Sequence, residues 1–335
     1  MGTKNISEII KDENVLEWLL EKNNPSVRYW TLMDLKGLST TSPDVLNTRK
    51  EIISYVPVKT IFSNQEDAGF WVHEEDMYLP KYTATTHQLL ILAELGLPRN
   101  SEIEKGIDQI FQFQRNSGHF LTTLPKTERG KDSAVKDGCC FDGNILFYLI
   151  QFDYLDDPRT TKLLDFIIDY YDLDNGGWHC RAYPINPEGV FPKNCYMGAT
   201  KILKAFSYMP KEKRTHKINE IIEKEVEKIL RNGVYYYLRN PDGSRKPKAG
   251  WKRFGFPLFY QTDILEVLDT LTRLEIKDSR MDDALNFIIG QRKDGKWYLK
   301  NTFNGKMWVD IEEKNKPSKW ITLRALRVLK RWHSL

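Results

Sequence analysis

Two kinds of apolar pattern alternate along the chain. Between Tyr82 and Leu97, the residues Leu89, Leu90, Ile91, Leu92, Ala93 and Leu95 surround a helix axis, so that helix must be buried on most sides. Between Ser101 and Arg115, Ile103, Ile107, Ile110 and Phe111 share one face and charges fill the others, the pattern of a helix lying on a surface. The two types recur to the last residue. Buried-type helices are predicted near 26–37, 82–96, 140–152, 195–208, 256–272 and 318–332. Amphipathic ones are predicted near 6–21, 44–55, 101–115, 158–171, 216–231 and 279–291. The buried type starts about every 55–62 residues, a repeat of helix pairs. Period-two alternation is nearly absent, and Val234–Leu238 is the one short strand candidate. Six inner and six outer helices predict an all-α, two-layer ring, an (α/α)6 toroid, with 1–335 as one domain. An open solenoid would need polar end caps. The last helix, Trp320–Trp332, is apolar on several sides and favours closure.

The joints between helices repeat as well. Gln114-Arg115-Asn116-Ser117-Gly118-His119-Phe120 and Gln291-Arg292-Lys293-Asp294-Gly295-Lys296-Trp297 both read Q-x3-G-x-aromatic. Asp174-Asn175-Gly176-Gly177-Trp178 is a shortened form, and Ala68-Gly69-Phe70-Trp71 and Gly233-Val234-Tyr235 are looser echoes. The glycine permits a turn with positive φ, and the aromatic two residues on can tuck back under the helix just ended.

These segments and the Gly-Gly-Trp turn resemble the repeat of squalene cyclases and protein prenyltransferase β subunits, most clearly over about 60–335. The resemblance implies the toroid; activity is a separate matter, since one fold hosts several chemistries. The D-x-D-D acid of class II terpene cyclases has no counterpart here. Asp282-Asp283-Ala284-Leu285-Asn286 approaches the D-D-x-x-D of class I synthases but ends in Asn and lies on an outer helix. The prenyltransferases hold zinc with a D-x-C and a later His. Asp137-Gly138-Cys139-Cys140 matches the first part, Cys195 stands near the expected His, and Arg129, Lys131 and Lys136 loosely match the diphosphate-binding cations.

The cysteines give a second route to the same site. Cys139, Cys140, Cys180 and Cys195 all fall at inner-helix starts or just after a turn, and in a toroid those starts share one rim. Thiolates at helix N-termini have lowered pKa and are the metal-binding form. Zn²⁺ held by Asp137, Cys139, Cys140, Cys180 and Cys195 is therefore the expected cofactor, with Cys140 favoured of the adjacent pair and His179 as a further donor. Buried cysteine is also a common core residue, and no C-x-x-C sharpens the signal.

Polar residues inside the apolar runs are His87, Asn144, Asp263 and Arg324. His87 and Asp263 are the catalytic candidates, against a structural role as capped or paired groups. Tyr82, Trp251, Phe256, Tyr260 and Trp320 lie near inner-helix starts, where aromatics line a ligand cavity or simply fill the ring. The Pro- and cation-rich stretch 239–253 reads as an exposed loop.

Fifty basic against 46 acidic side chains give a formal charge of +4, too even for a dedicated nucleic-acid binder. Charges interrupt every apolar stretch of the N-terminal region, so neither a signal peptide nor a membrane span is predicted, and reduced thiols in the cytoplasm are. The leading expectation is an isoprenoid-handling, zinc-dependent enzyme that takes a hydrophobic small molecule or prenyl diphosphate. The alternative is a non-catalytic toroid that binds a lipid, peptide or partner protein, with structural cysteines. A glycan-processing toroid is the third, and needs paired carboxylates at one rim, for which Glu74, Glu75 and Asp76 are the candidates.

Overall fold

The computed structural model describes residues 3–127, 138–178, 195–237 and 242–335. The chain is an all-α toroid. Its inner layer is α3 (Pro25–Trp30, continued as a π-helical turn over Thr31–Leu35), α6 (Thr85–Glu94), α8 (Cys139–Gln151), α10 (Tyr196–Tyr208), α12 (Ile264–Arg273) and α14 (Lys319–Ser334). The outer layer is α1 (Thr3–Ile10) with α2 (Glu13–Leu19), α4 (Pro43–Glu51) with α5 (Val56–Phe62), α7 (Ser101–Phe111), α9 (Pro158–Asp169), α11 (His216–Arg231) and α13 (Asp282–Gly290). Every residue of α6 is buried, as its all-round apolar pattern requires.

Side-chain caps set many of the starts. Asn24, Asn100, Asp157, Thr215, Asp263 and Ser318 each accept a backbone N–H from the first turn of the helix that follows, and Pro25, Pro43 and Pro158 stand just inside theirs. Caps also explain where the helices depart from expectation. Residues 256–263 are not helical: the fifth inner helix starts only at Ile264, because Asp263 caps it. Asp12 caps a second helix inside the segment expected to be one, and Pro57 opens another after Ser54. Of the strand candidate at 234–238, the described residues 234–237 show a single bridge, Tyr236 to Pro247. No strand forms among the described residues.

The repeated joint has a mechanism. Trp71, Trp178 and Trp297 are buried and donate their indole N–H to Ile61 O, Ile167 O and Ile288 O, at 2.8, 2.8 and 2.7 Å, in the outer helix just ended. Phe120 packs on Phe111, the last residue of α7. The Trp71 and Trp297 backbone N–H groups donate to Thr85 and Thr322 on the next inner helix, each at 3.0 Å. Gln114 Nε2 donates to Gly118 O and to Arg159 O of the next outer helix, at 2.9 and 2.8 Å. Gln65 does the same with Gly69 O and Glu102 O, so Gln65–Trp71 is a full copy of the motif. One seven-residue joint thus ties an outer helix to the next inner and the next outer helix.

The ring closes by the same device. Gly295 sits against Val15 and Asp12, and Arg292 pairs with Asp12 at 2.6 Å. Lys319 pairs with Glu21 at 2.7 Å, and Lys330 Nζ donates to the Asp34 and Leu35 carbonyls at 3.0 and 2.9 Å.

The axis of the ring is filled with charge. Glu94 accepts Lys204 Nζ, and Arg324 Nη2 at 2.8 Å. Glu266 takes Lys201 Nζ on both oxygens at 2.8 and 2.7 Å. Further along, Asp269 is clasped by Arg327 and Arg331, which also reach Asp34. All of these groups except Asp34 and Arg331 belong to residues that are almost wholly buried. No helix among the described residues is long and apolar enough to cross a membrane.

Candidate functional site

The inner helices begin at one rim, and there the polar column gives way to an aromatic bowl. His87, in the first turn of α6, contacts the rings of Tyr78, Tyr82 and Phe259 at 5.0, 5.8 and 5.1 Å between centroids. Phe303 stacks on Tyr82 at 4.2 Å and meets Phe259 at 5.2 Å, and Phe141 of α8 closes on Tyr78 at 5.7 Å. Asn144 Nδ2 holds the Phe259 carbonyl at 2.9 Å. Trp308 Nε1 donates to Thr83 O at 3.0 Å, so the loop before α14 straps the last repeat to the second across the mouth. At the lip, Lys81 Nζ lies 5.9 and 5.5 Å from the Tyr78 and Tyr260 ring centroids.

Tyr82 is the centre of this cluster and its backbone is strained. Its φ is +77°, the left-handed region that bulky side chains rarely adopt. Gln88 Nε2 holds its carbonyl at 2.8 Å. Burial, reinforced by the Tyr260 hydroxyl, pushes the Tyr82 phenol up to about 12, so it stays protonated. Burial, with Lys81 nearby, pushes His87 down to about 3, so the imidazole is neutral across the physiological range. His87 Nδ1, Gln88 Oε1, Gln261 Oε1 and Thr262 Oγ1 are buried and have no hydrogen-bond partner among the described residues.

Asp263 has a different setting. Its two oxygens accept the Glu266 and Gly255 N–H groups at 2.8 and 2.9 Å, which caps α12 and ties down the segment before it. Burial raises its carboxyl to about 6. Of the five aromatics expected at a ligand, Tyr82 and Tyr260 share the bowl. Phe256 and Trp320 stack at 4.3 Å and 10° inside the core, with Arg324 5.1 Å from the Phe256 ring, and Trp251 backs Lys248. Phe259, Phe303, Tyr78, Phe141 and Trp308 were not anticipated. Their shared signal is an aromatic just before or after an inner-helix start, which marks Phe259 and Phe141 but not the loop residues Phe303 and Trp308.

Cys139, Cys140 and Cys195 lie at inner-helix starts. An ideal Cβ on Gly198 would fall 1.9 Å from Cys139 Sγ, so the buried Cys139 thiol fills the notch that this glycine leaves in α10. Gly143 of α8 likewise lies against α10: its ideal Cβ would fall 2.7 Å from the Ile202 backbone N. Cys195 Sγ accepts the Gly198 N–H at 3.4 Å as the N-cap of α10. Cys140 is half-buried, and Asp137 and Cys180, like Arg129, Lys131, Lys136 and His179, lie outside the described residues. Among the described residues no three potential ligands converge on one point. A packing group and a cap predict that Cys195→Ser leaves stability within about 0.5 kcal/mol of the parent, since serine caps at least as well. Denaturation checks this. Elemental analysis of the reduced protein checks the metal: one zinc per chain, lost in Cys140→Ser, would establish the zinc site, and no metal in either sample would remove it.

Asp76 is committed to holding its own loop. It accepts the Tyr78 and Leu79 N–H groups at 2.9 and 2.7 Å and the Thr123 hydroxyl at 2.9 Å. The Glu74 and Glu75 side chains are exposed, and their backbone carbonyls accept from Gln109 and Leu124.

The sequence matches no protein-family profile and no curated protein sequence. Solved structures resemble it. A glycosyl hydrolase family 88 protein from Bacteroides vulgatus superposes over 100% of this chain and 99% of its own, with a TM-score of 0.54 at 12% identity. A cellobiose 2-epimerase from Bacillus thermoamylovorans covers 76% of this chain and 74% of its own, at 10% identity and a TM-score of 0.43. A type II terpene cyclase from Scytonema covers 84% and 98%, at 13% identity and a TM-score of 0.35. At such identities the likeness is one of fold, and with the first of these the chain shares the whole α/α toroid.

Proposed function

We propose that this toroid binds a carbohydrate, with a sugar ring seated in the aromatic bowl. The observation that carries the reading is Tyr82, held at a strained φ in the midst of the Phe259 and Phe303 rings and the neutral His87. A sugar has an apolar C–H face and a hydroxyl edge. The bowl offers ring faces to the first, and His87 Nδ1, Gln88 Oε1 and Gln261 Oε1 to the second. The reading is of binding, because hydrolysis of a glycosidic bond ordinarily needs two carboxylates and Asp76 is held by its own loop.

An isoprenoid, as its diphosphate, is the second reading. The aromatic walls suit it, and Lys81 at the lip suits a phosphate. Two features favour the sugar. From His87 to Glu94 is only about 10 Å along α6, and below that the axis is an ion-pair column with no apolar depth for a chain. A hydrocarbon has no hydrogen bond to give the orphaned polar atoms, whereas a sugar hydroxyl does.

Calorimetric titration with cellobiose, a uronic-acid disaccharide and farnesyl diphosphate separates the readings. Saturable binding of either sugar is expected. Binding of farnesyl diphosphate alone would transfer the site to the isoprenoid reading, and no binding by any of the three would remove both. Tyr82→Gly should weaken sugar binding at least tenfold, about 1.4 kcal/mol. The same change relieves the positive φ and so offsets part of the lost ring packing; the melting temperature should fall only modestly, and measuring it separates lost binding from a damaged fold.

A further inference from the structure

We propose that Lys248 is a covalent site for small carbonyl compounds, its side-chain amine forming an imine with an aldehyde at the rim of the ring. The inference is independent of what the aromatic bowl binds.

Four lysines are buried among the described residues. Lys201 and Lys204 pair with Glu266 and Glu94, and Lys319 pairs with Glu21. Lys248, 5% exposed, has no carboxylate and no hydrogen-bond acceptor for its amine among the described residues. Its Nζ lies between two ring faces, 4.4 Å from the Tyr196 centroid and 4.3 Å from that of Trp251. Tyr196 opens α10, and Trp251 O accepts the Ile264 N–H at the start of α12. The amine therefore sits between two inner-helix starts, on the same rim as the bowl.

Its backbone is fixed: Lys248 N donates to Tyr235 O at 2.8 Å, and Trp251 N donates to Lys248 O at 3.3 Å. Lys246, Ala249 and Gly250 around it are exposed, so only a local opening of this segment, not unfolding of the ring, is required to uncover the amine. Ring faces attract an ammonium, but by about 2 kcal/mol at most, which is less than a buried carboxylate supplies. Burial, with no charged neighbour to offset it, lowers the ammonium to about 7. About half is then free amine at neutral pH, against roughly one part in three thousand for an ordinary lysine. A desolvated lysine of this kind is the usual nucleophile of imine chemistry. The nitrogen lone pair adds to the carbonyl carbon and the carbonyl oxygen takes a proton. Loss of water from the resulting carbinolamine leaves the C=N bond. No electrons change hands, and hydrolysis reverses it.

The test is brief exposure of the full-length native protein to limiting formaldehyde, and separately to glycolaldehyde, each with cyanoborohydride to trap the imine, followed by quantitative peptide mass spectrometry. At pH 7, Lys248 should be modified at least tenfold more than the typical exposed lysine by both aldehydes. Between pH 7 and 9 its labelling should rise only about twofold, while that of exposed lysines rises about a hundredfold. Protection of Lys248 in the native protein with labelling only after unfolding, or a pH response like that of other lysines, would overturn the proposal and leave a structural cation.

Discussion

Glu94→Gln is expected to destabilise the protein by about 3–5 kcal/mol, measured by denaturant unfolding. Glu94 is the shared partner of Lys204 and Arg324, and the amide would leave two buried cations facing each other. The column carries Glu94, Glu266, Asp269 and Asp34 against Lys201, Lys204, Arg273, Arg324, Arg327 and Arg331, so cations already outnumber carboxylates. Loss of a carboxylate should therefore cost more than loss of a cation, and Lys204→Met less than Glu94→Gln.

The pH dependence follows from the same residues. Burial alone would raise the Glu94 carboxyl, but Lys204 and Arg324 outweigh it and hold it at about 2, below its ordinary 4.5. A depressed carboxyl contributes stability that is complete above about pH 4.5 and is lost as the pH falls toward 2. Asp269 is depressed still further, burial again being outweighed, here by Arg327 and Arg331. Asp263 and Glu312 act in the opposite sense. Burial raises them from 3.8 and 4.5 to about 6 and about 7, so their contribution is complete below the unfolded values and is lost as the pH rises from there through about 6 and about 7. The melting temperature should peak between about pH 4 and pH 5, and Glu94→Gln should flatten the acid limb while leaving the limb above about pH 5 unchanged.

Gly118→Ala should cost about 2–5 kcal/mol, from a strained backbone and a forced shift of its neighbour. Gly118 has φ +100°, and a Cβ there would stand 2.0 Å from the Lys162 carbonyl oxygen, in the outer helix of the next pair. That oxygen belongs to a helix backbone and cannot swing aside. Gly243→Ala is the control: φ is +82° with nothing within 4 Å, so only the conformational cost, about 1 kcal/mol, remains. Equal losses in the two variants, read from denaturation midpoints, would mean that the close approach of neighbouring outer helices contributes nothing.

The alternation of all-round and one-sided apolar helices made the ring legible, because each helix must bury one stripe or its whole surface. Helix boundaries failed where apolar residues continue without helix. Phe256-Pro257-Leu258-Phe259 reads as the first turn of an inner helix, yet Asp263 starts that helix seven residues on. The ionic column was legible only in part. Arg324 stood out, but its partners were overlooked although the signal is plain: Lys201 and Lys204, Glu266 and Asp269, and Arg324, Arg327 and Arg331 recur three or four residues apart on otherwise apolar helices. Cys139, Cys140 and Cys195 fall at inner-helix starts, but the direction of a thiol depends on its neighbour in space, and Gly198 receives Cys139. Phe303 against Tyr82, more than two hundred residues away, could not be read at all, since that contact exists only once the ring has closed.

That closure bears on how the molecule comes apart. With Arg292 on Asp12 and Gly295 against Val15, the seam between last and first helices is built like the joints within the chain. No helix pair is then an end from which fraying can start, and opening any joint deprives both its neighbours of a partner. Partial unfolding is penalised everywhere around the circle, so the protein should lose its structure in one cooperative step.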